Sequence, residues 1–132
     1  MFKKMKILIV DDVKGWRDYH SAIISDMFDE VEIQTADSAR SAYDKLFENN
    51  NEPFDIILTD MQMENDFEPK YAGEWFVEQI KSFKNYAKTR IVIISATYNI
   101  STIAEHYGVE YLRKSTARNF PDSYEFLKQS FD

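Results

Sequence analysis

Four short apolar runs punctuate the chain: Ile7–Val10 (ILIV), Phe54–Thr59 (FDIILT), Ile91–Ser95 (IVIIS) and Val109–Leu112 (VEYL). They are nearly continuous and rich in Ile and Val, the pattern of parallel strands covered on both faces. Val31–Thr35 (VEIQT) alternates and predicts a weaker strand. Between the runs, apolar positions recur at helical spacing. Residues 15–28 bring Trp16, Tyr19, Ile23, Ile24, Met27 and Phe28 near one stripe. A second helix carries Ala39, Ala42, Tyr43, Leu46 and Phe47, with Asp37 or Ser38 as its cap. Gly73–Phe83 carries Trp75, Phe76, Ile80 and Phe83, and Asn99–Tyr107 forms a short helix that Gly108 ends. Pro121 suits the first turn of a last helix with Tyr124, Leu127 and Phe131 inward.

The order is (βα)5, an α/β fold. Strands joined by crossover helices run parallel with right-handed connections. In such an open sheet, chemistry collects at the carboxyl ends of the strands.

Composition narrows the picture. The chain has 132 residues, of which 44% are hydrophobic and 15% aromatic, enough for one domain with a full core. A net charge of −7 argues against a nucleic-acid partner, which needs a basic face. With no cysteine, neither a disulfide framework nor a thiolate metal site exists. The start MFKKMKILIV begins as a signal peptide does, but its apolar run stops at Asp11-Asp12 without a small-residue cleavage site. No stretch nears the ~20 apolar residues that span a bilayer. The expectation is a cytoplasmic single domain over residues 1–132, with no output domain and no membrane partner.

The strand ends hold the candidate chemistry. The first ends in Asp11-Asp12, the third in Asp60, the fourth in Ser95-Ala96 and the fifth in Arg113-Lys114. Clustered carboxylates raise one another's pKa unless a cation offsets them. A hard cation fits oxygen ligands, and Mg²⁺ takes one or two carboxylates while leaving room for phosphate oxygens. A lysine and a hydroxyl beside it suit phosphoryl transfer, where positioning and charge stabilisation carry the catalysis. Each residue also has a plainer reading. Asp11, Asp12 and Asp60 could cap helices or end strands in solvent. Ser95 could be an ordinary strand-end hydroxyl, and Tyr111, Trp16 and Trp75 packing residues, although Trp16, just after the acidic pair, is placed to report metal or phosphate by its fluorescence. Arg113 competes with Lys114, since strand neighbours point opposite ways. His20 and His106, with no partners at metal spacing, are expected on the surface of the first and fourth helices.

Taken together and in order, ILIVDD, DIILTDMQM, IVIISA and YLRKS resemble the motifs of a response-regulator receiver domain of two-component signalling, over nearly the whole chain. The resemblance implies a flavodoxin-like three-layer sandwich with a parallel five-stranded sheet of order 2-1-3-4-5. It implies a signalling domain rather than an enzyme in the ordinary sense. Asp60 would accept a phosphoryl group from a histidine kinase or a histidine phosphotransfer protein. Asp11, Asp12, Asp60 and the backbone carbonyl of Gln62 would hold Mg²⁺. Lys114 would pair with Asp60 and then with the phosphoryl group, which Ser95 would also bind while Ala96 leaves room. Tyr111 would turn inward and report the event on the face of the fourth helix, fifth strand and fifth helix. That face would bind a downstream protein and is a candidate surface for pairing two copies. Gln62 and Thr97 flank the path of attacking water in this family.

The chain departs from the family in three places. Glu64 stands where Pro is usual, and Gly73 follows Asp60 by thirteen residues, several more than is common. The inserted residues 64–72 are either a solvated insertion or a lid and partner contact anchored by Phe67 and Tyr71. Ser115 follows Lys114 where Pro is usual, so the turn there is expected to be trans and to differ. The short stretch from Ser95 to Lys114 leaves a reduced or irregular fourth helix. Two other functions compete. One is a phosphorylation-independent pseudo-receiver that acts as a binding module. The other is a haloacid-dehalogenase-like phosphohydrolase, which would want Asp-x-Asp where this chain has Asp11-Asp12-Val13.

Overall fold

The computed structural model describes residues 4–66 and 68–129. Five strands, β1 (Met5–Val10), β2 (Val31–Ala36), β3 (Ile56–Thr59), β4 (Arg90–Ser95) and β5 (Glu110–Arg113), form one parallel sheet. Their order is β2-β1-β3-β4-β5, as expected. The helices are α1 (Lys14–Met27), α2 (Ala39–Glu48), α3 (Ala72–Ser82), α4 (Ile100–Tyr107) and α5 (Lys114–Asn119). Among the described residues no helix is long and apolar enough to cross a membrane.

The unbroken apolar runs are explained by which face each residue serves. Successive strand residues point to opposite faces. Leu8, Val10, Ile57, Ile91 and Ile93 enter a core with Leu46 of α2, Phe76 and Ile80 of α3, and Ile100 of α4. Ile7, Ile9, Ile56, Leu58, Val92 and Ile94 enter another with Ile24 of α1, Ala117 of α5, and Tyr124. A central strand buried on both sides leaves no polar alternation to read.

The helix ends follow local chemistry. The Ser41 N–H donates to Ser38 Oγ at 3.0 Å, so Ser38 rather than Asp37 caps α2. Gly108 ends α4 at φ 68°, a left-handed conformation that glycine adopts without a Cβ penalty. With eight residues α4 is short, as expected, but it is a regular helix.

The last helix differs from expectation. β5 passes directly into the six-residue α5, and Pro121–Lys128 then forms a 3₁₀ helix instead of a long α-helix. Tyr124 and Leu127 do point inward, whereas Phe131 lies outside the described residues. Arg90 holds this segment to the sheet. Its Nη1 donates to the Gln129 and Leu127 carbonyls at 3.0 and 3.3 Å. Its Nη2 donates to the Phe126 carbonyl at 3.1 Å and to Glu110 Oε1 at 2.7 Å.

His20 is a second correction. It is buried at 2% exposure, not on the surface, and shares a 2.6 Å hydrogen bond between Nδ1 and the Tyr124 hydroxyl. The bond crosses from α1 to the 3₁₀ segment, a pairing that helical periodicity does not reveal. His106 is exposed, as expected.

Candidate functional site

Strand register builds the acidic cluster. Val10 lies opposite Thr59, so Asp11 and Asp60 leave the sheet side by side. The Asp60 N–H donates to the Val10 carbonyl at 3.0 Å, which locks that relation. Asp11, Asp12 and Asp60 each offer a carboxylate oxygen within 4.8 Å of the others. Asp11 and Asp60 are buried and Asp12 half-buried.

Each carboxylate is oriented separately. Asp60 Oδ1 accepts the Met61 N–H at 2.6 Å, and Oδ2 accepts from Lys114 Nζ at 2.8 Å. Asp11 Oδ1 accepts the Val13 N–H at 2.9 Å, a tight turn before α1 rather than a helix cap. Asp12 Oδ2 accepts the Glu64 N–H at 3.1 Å, which ties the inserted loop to the cluster. Lys114 therefore faces the crevice. Arg113 points elsewhere, its Nη1 donating to the Tyr98 carbonyl at 3.5 Å and its guanidinium lying over the Tyr111 ring. Lys114 wins because it opens α5 instead of continuing β5. No cis peptide bond occurs among the described residues, so the turn at Ser115 is trans as expected.

The charges do not balance. Lys114 Nζ approaches Asp11 Oδ2 to 2.9 Å as an ion pair, yet that oxygen is buried without an aligned hydrogen bond. Burial raises the Asp11 carboxyl above its ordinary range, with the Asp60 charge adding to this; Lys114 and the Val13 amide offset them only in part. Burial alone would lower Lys114, but Asp60 and Asp11 outweigh it and hold the ammonium above its usual range. Lys114 thus pairs with two of the three carboxylates, Asp60 and Asp11. An under-neutralised, all-oxygen donor set, with Asp11 Oδ2 buried and lacking an aligned hydrogen bond, fits a divalent hard cation.

The other expected residues lie nearby with mixed exposure. Ser95 is buried at the end of β4, its Oγ accepting the Thr97 N–H at 3.3 Å. Ala96 is exposed beside it, and Thr97 Oγ1 donates to Asn99 Oδ1 at 2.8 Å. Gln62 is exposed in the loop after Asp60, its amide donating to Glu64 Oε1 at 3.0 Å. Tyr111 stands on β5 at 42% exposure, facing outward rather than packed in the core.

Four features escaped the sequence reading. Gly73 presses on the site: a Cβ there would lie 2.4 Å from the Asp60 carbonyl oxygen, while its N–H donates to the Met61 carbonyl at 2.9 Å. Only its position at a helix start hinted at this. The inserted loop is held at the start of α2, where Asp66 Oδ2 and Oδ1 accept the Ala39 and Arg40 N–H groups at 2.7 and 3.0 Å. A cleft of about 510 Å³ opens there, away from the carboxylates, lined by Arg40, Asp66, Tyr71 and Trp75 among others. Tyr71 is half exposed, and Phe67, the other expected anchor, lies outside the described residues. His20 and its bond to Tyr124 are the third. The fourth is Trp16, whose ring carries the Lys114 ammonium at 5.1 Å from its centroid.

Comparison with known proteins agrees with this geometry. The family model described as the response regulator receiver domain matches residues 7–119. The chemotaxis response regulator CheY4 of Vibrio cholerae is 25% identical with a TM-score of 0.69, over 85% of this chain and 88% of its own. The response regulator domain of Thermotoga maritima CheB is 22% identical with a TM-score of 0.71, over 96% and 92%. The Mn²⁺-bound form of response regulator Rcp1 is 22% identical with a TM-score of 0.72, over 94% and 89%. These last two likenesses concern the fold alone. No curated protein sequence matches the chain.

Proposed function

The chain belongs to the response regulator receiver domain family, and on that premise we propose that it is a phosphorylation-dependent switch with Asp60 as its acceptor. The observation that carries this reading is the buried Asp60–Lys114 contact at 2.8 Å beside Asp11 and Asp12. Residues 1–132 act as one receiver unit in two-component signalling. The donor is a histidine kinase or a histidine phosphotransfer protein, which would approach Asp60 from the carboxyl ends of the strands.

An Asp60 carboxylate oxygen attacks the phosphorus of the phosphohistidine. A P–O bond forms, the P–N bond breaks, and the imidazole leaves with that electron pair. Lys114 holds Asp60 oriented beforehand and afterwards faces the negative phosphoryl oxygens. The Ser95 hydroxyl donates to one of those oxygens, and the small Ala96 leaves its approach open. Asp11, Asp12, Asp60 and the Gln62 carbonyl would hold Mg²⁺. When bound, this cation supplies the positive charge that the carboxylates and the phosphoryl group lack. The Mn²⁺ of the Rcp1 structure supports a divalent ion in the same fold. Tyr111, now outward, turns inward toward Ser95. That changes the face of α4, β5 and α5, which binds the downstream protein or a second copy.

The test is incubation with Mg²⁺ and acetyl phosphate, read by intact mass. The expected result is a gain of one phosphoryl group in the wild type and none in Asp60→Asn. A folded wild type that gains no mass, and shows no spectral change with beryllofluoride, is a phosphorylation-independent binding module instead.

A further inference from the structure

The Lys114 ammonium carries three N–H donors. One serves Asp60 Oδ2 at 2.8 Å, and Asp11 Oδ2 lies 2.9 Å away. The same ammonium stands over the Trp16 indole at 5.1 Å from the ring centroid, and the Arg118 guanidinium stands over that ring at 5.5 Å. Trp16 is held in turn. Tyr19 meets it at 5.7 Å with an interplanar angle of 88°, and His20 lies 5.4 Å away. The Tyr19 hydroxyl donates to the Ala117 carbonyl at 2.8 Å, so α1 and α5 are fastened together where the ring sits.

A cation is attracted to the negative face of an aromatic ring, and most strongly where water is scarce. Lys114 is 9% exposed, so its ammonium is in that regime. The carboxylate partners of Lys114 change character when Asp60 is phosphorylated, whereas the ring does not. A lysine is a flexible stem with a point charge and has no fixed geometry of its own. The indole supplies a fixed third side.

We propose that Trp16 is a positioning residue for Lys114, its indole face holding the ammonium against Asp60 before and after phosphoryl transfer. The proposal rests on the reading of Asp60 as the acceptor. Removing the ring lets the ammonium wander while leaving both carboxylates in place.

The experiment compares wild type, Trp16→Phe and Trp16→Leu in phosphorylation by acetyl phosphate with Mg²⁺. Side-chain NMR of Lys114, assigned through Lys114→Arg, is run alongside. The expected result is a roughly tenfold lower maximal rate in Trp16→Leu at nearly unchanged KM, with Trp16→Phe within about threefold of wild type. The Lys114 methylene protons, shifted by the indole ring current, move toward free-lysine positions in Trp16→Leu and only partly in Trp16→Phe. A wild-type rate in Trp16→Leu overturns the proposal. So do unmoved Lys114 resonances, and so do equal losses in both variants that track a lowered unfolding midpoint. Trp16→Met replaces Trp16→Leu if the latter does not fold. If the wild type gains no phosphoryl group, the acceptor reading fails. The Lys114 resonances then decide the ring contact alone, a shift on ring removal upholding it and no shift overturning it.

Discussion

Gly73 shows how little room there is around Asp60. A Cβ at that position would sit 2.4 Å from both the Asp60 carbonyl oxygen and the Met61 Cα, which are backbone atoms that cannot rotate away. Gly73→Ala should therefore cost roughly 1–3 kcal/mol in urea unfolding, the range for overpacking. It should also slow phosphorylation by moving the Met61 N–H that orients Asp60. His20 gives a separate signal. Burial first, and the Lys114 charge second, lower it from 6.5 to about 4. Its neutral form is favoured by folding, so its contribution is full above pH 6.5 and is lost as pH falls through about 4. Between pH 7 and pH 5 the wild type should lose roughly 2 kcal/mol from this source. Denaturant unfolding at a series of pH values checks it: His20→Gln should flatten that slope.

At the scale of elements, the inserted loop uses its acidity on a helix rather than a metal. The first N–H groups of an α-helix lack partners within it, and a carboxylate there satisfies them and favours the positive end of the dipole. Asp66 does this for Ala39 and Arg40, while the Asn65 amide donates to the Asp37 carbonyl at 3.0 Å. Asp66→Ala should lower stability by about 1 kcal/mol. Amide hydrogen exchange should quicken in the first turn of α2. A loop that merely floated in solvent would leave both unchanged. The Glu64 N–H on Asp12 means that the same loop also orients one carboxylate of the cluster.

For the whole molecule, Arg90 ties the C-terminal segment to the sheet at the end opposite the acidic cluster. Arg90 joins the start of β4 to β5 and to three carbonyls of the C-terminal segment. Arg90→Ala should cost about 3 kcal/mol, since it leaves Glu110 and buried carbonyls without their donor. Calorimetry or urea unfolding measures this. A divalent cation held by Asp11, Asp12 and Asp60 would add a second tie, since these residues follow β1 and β3. Raised above its ordinary range, Asp11 contributes stability that is full below pH 3.8 and lost as pH rises through its raised value. Mg²⁺ at a hundred times its Kd should then add about 2.7 kcal/mol at neutral pH. Asp12→Asn should reduce that gain, as thermal shift would show.

The sheet and the acidic site were legible because both are written in short-range pattern. ILIV and IVIIS are strands buried on both faces whatever covers them, and a parallel sheet brings the residues after each run to one edge. Asp11, Asp60, Ser95 and Lys114 could thus be grouped without coordinates, and their sequence order supplied the family resemblance. Other features depend on partners far along the chain. Spacing alone places His20 on the surface, because its partner Tyr124 lies 104 positions away. Asp66 caps a helix that begins 27 positions before it. The apolar spacing of Tyr124 and Leu127 fits a long α-helix, yet the segment folds as a 3₁₀ helix whose end Arg90 holds. Trp16 had the look of packing until α1 and α5 brought it beneath Lys114. Periodicity determined most of the apolar residues that face inward; tertiary contacts decided what each of them meets there, buried His20, and left Phe47 exposed.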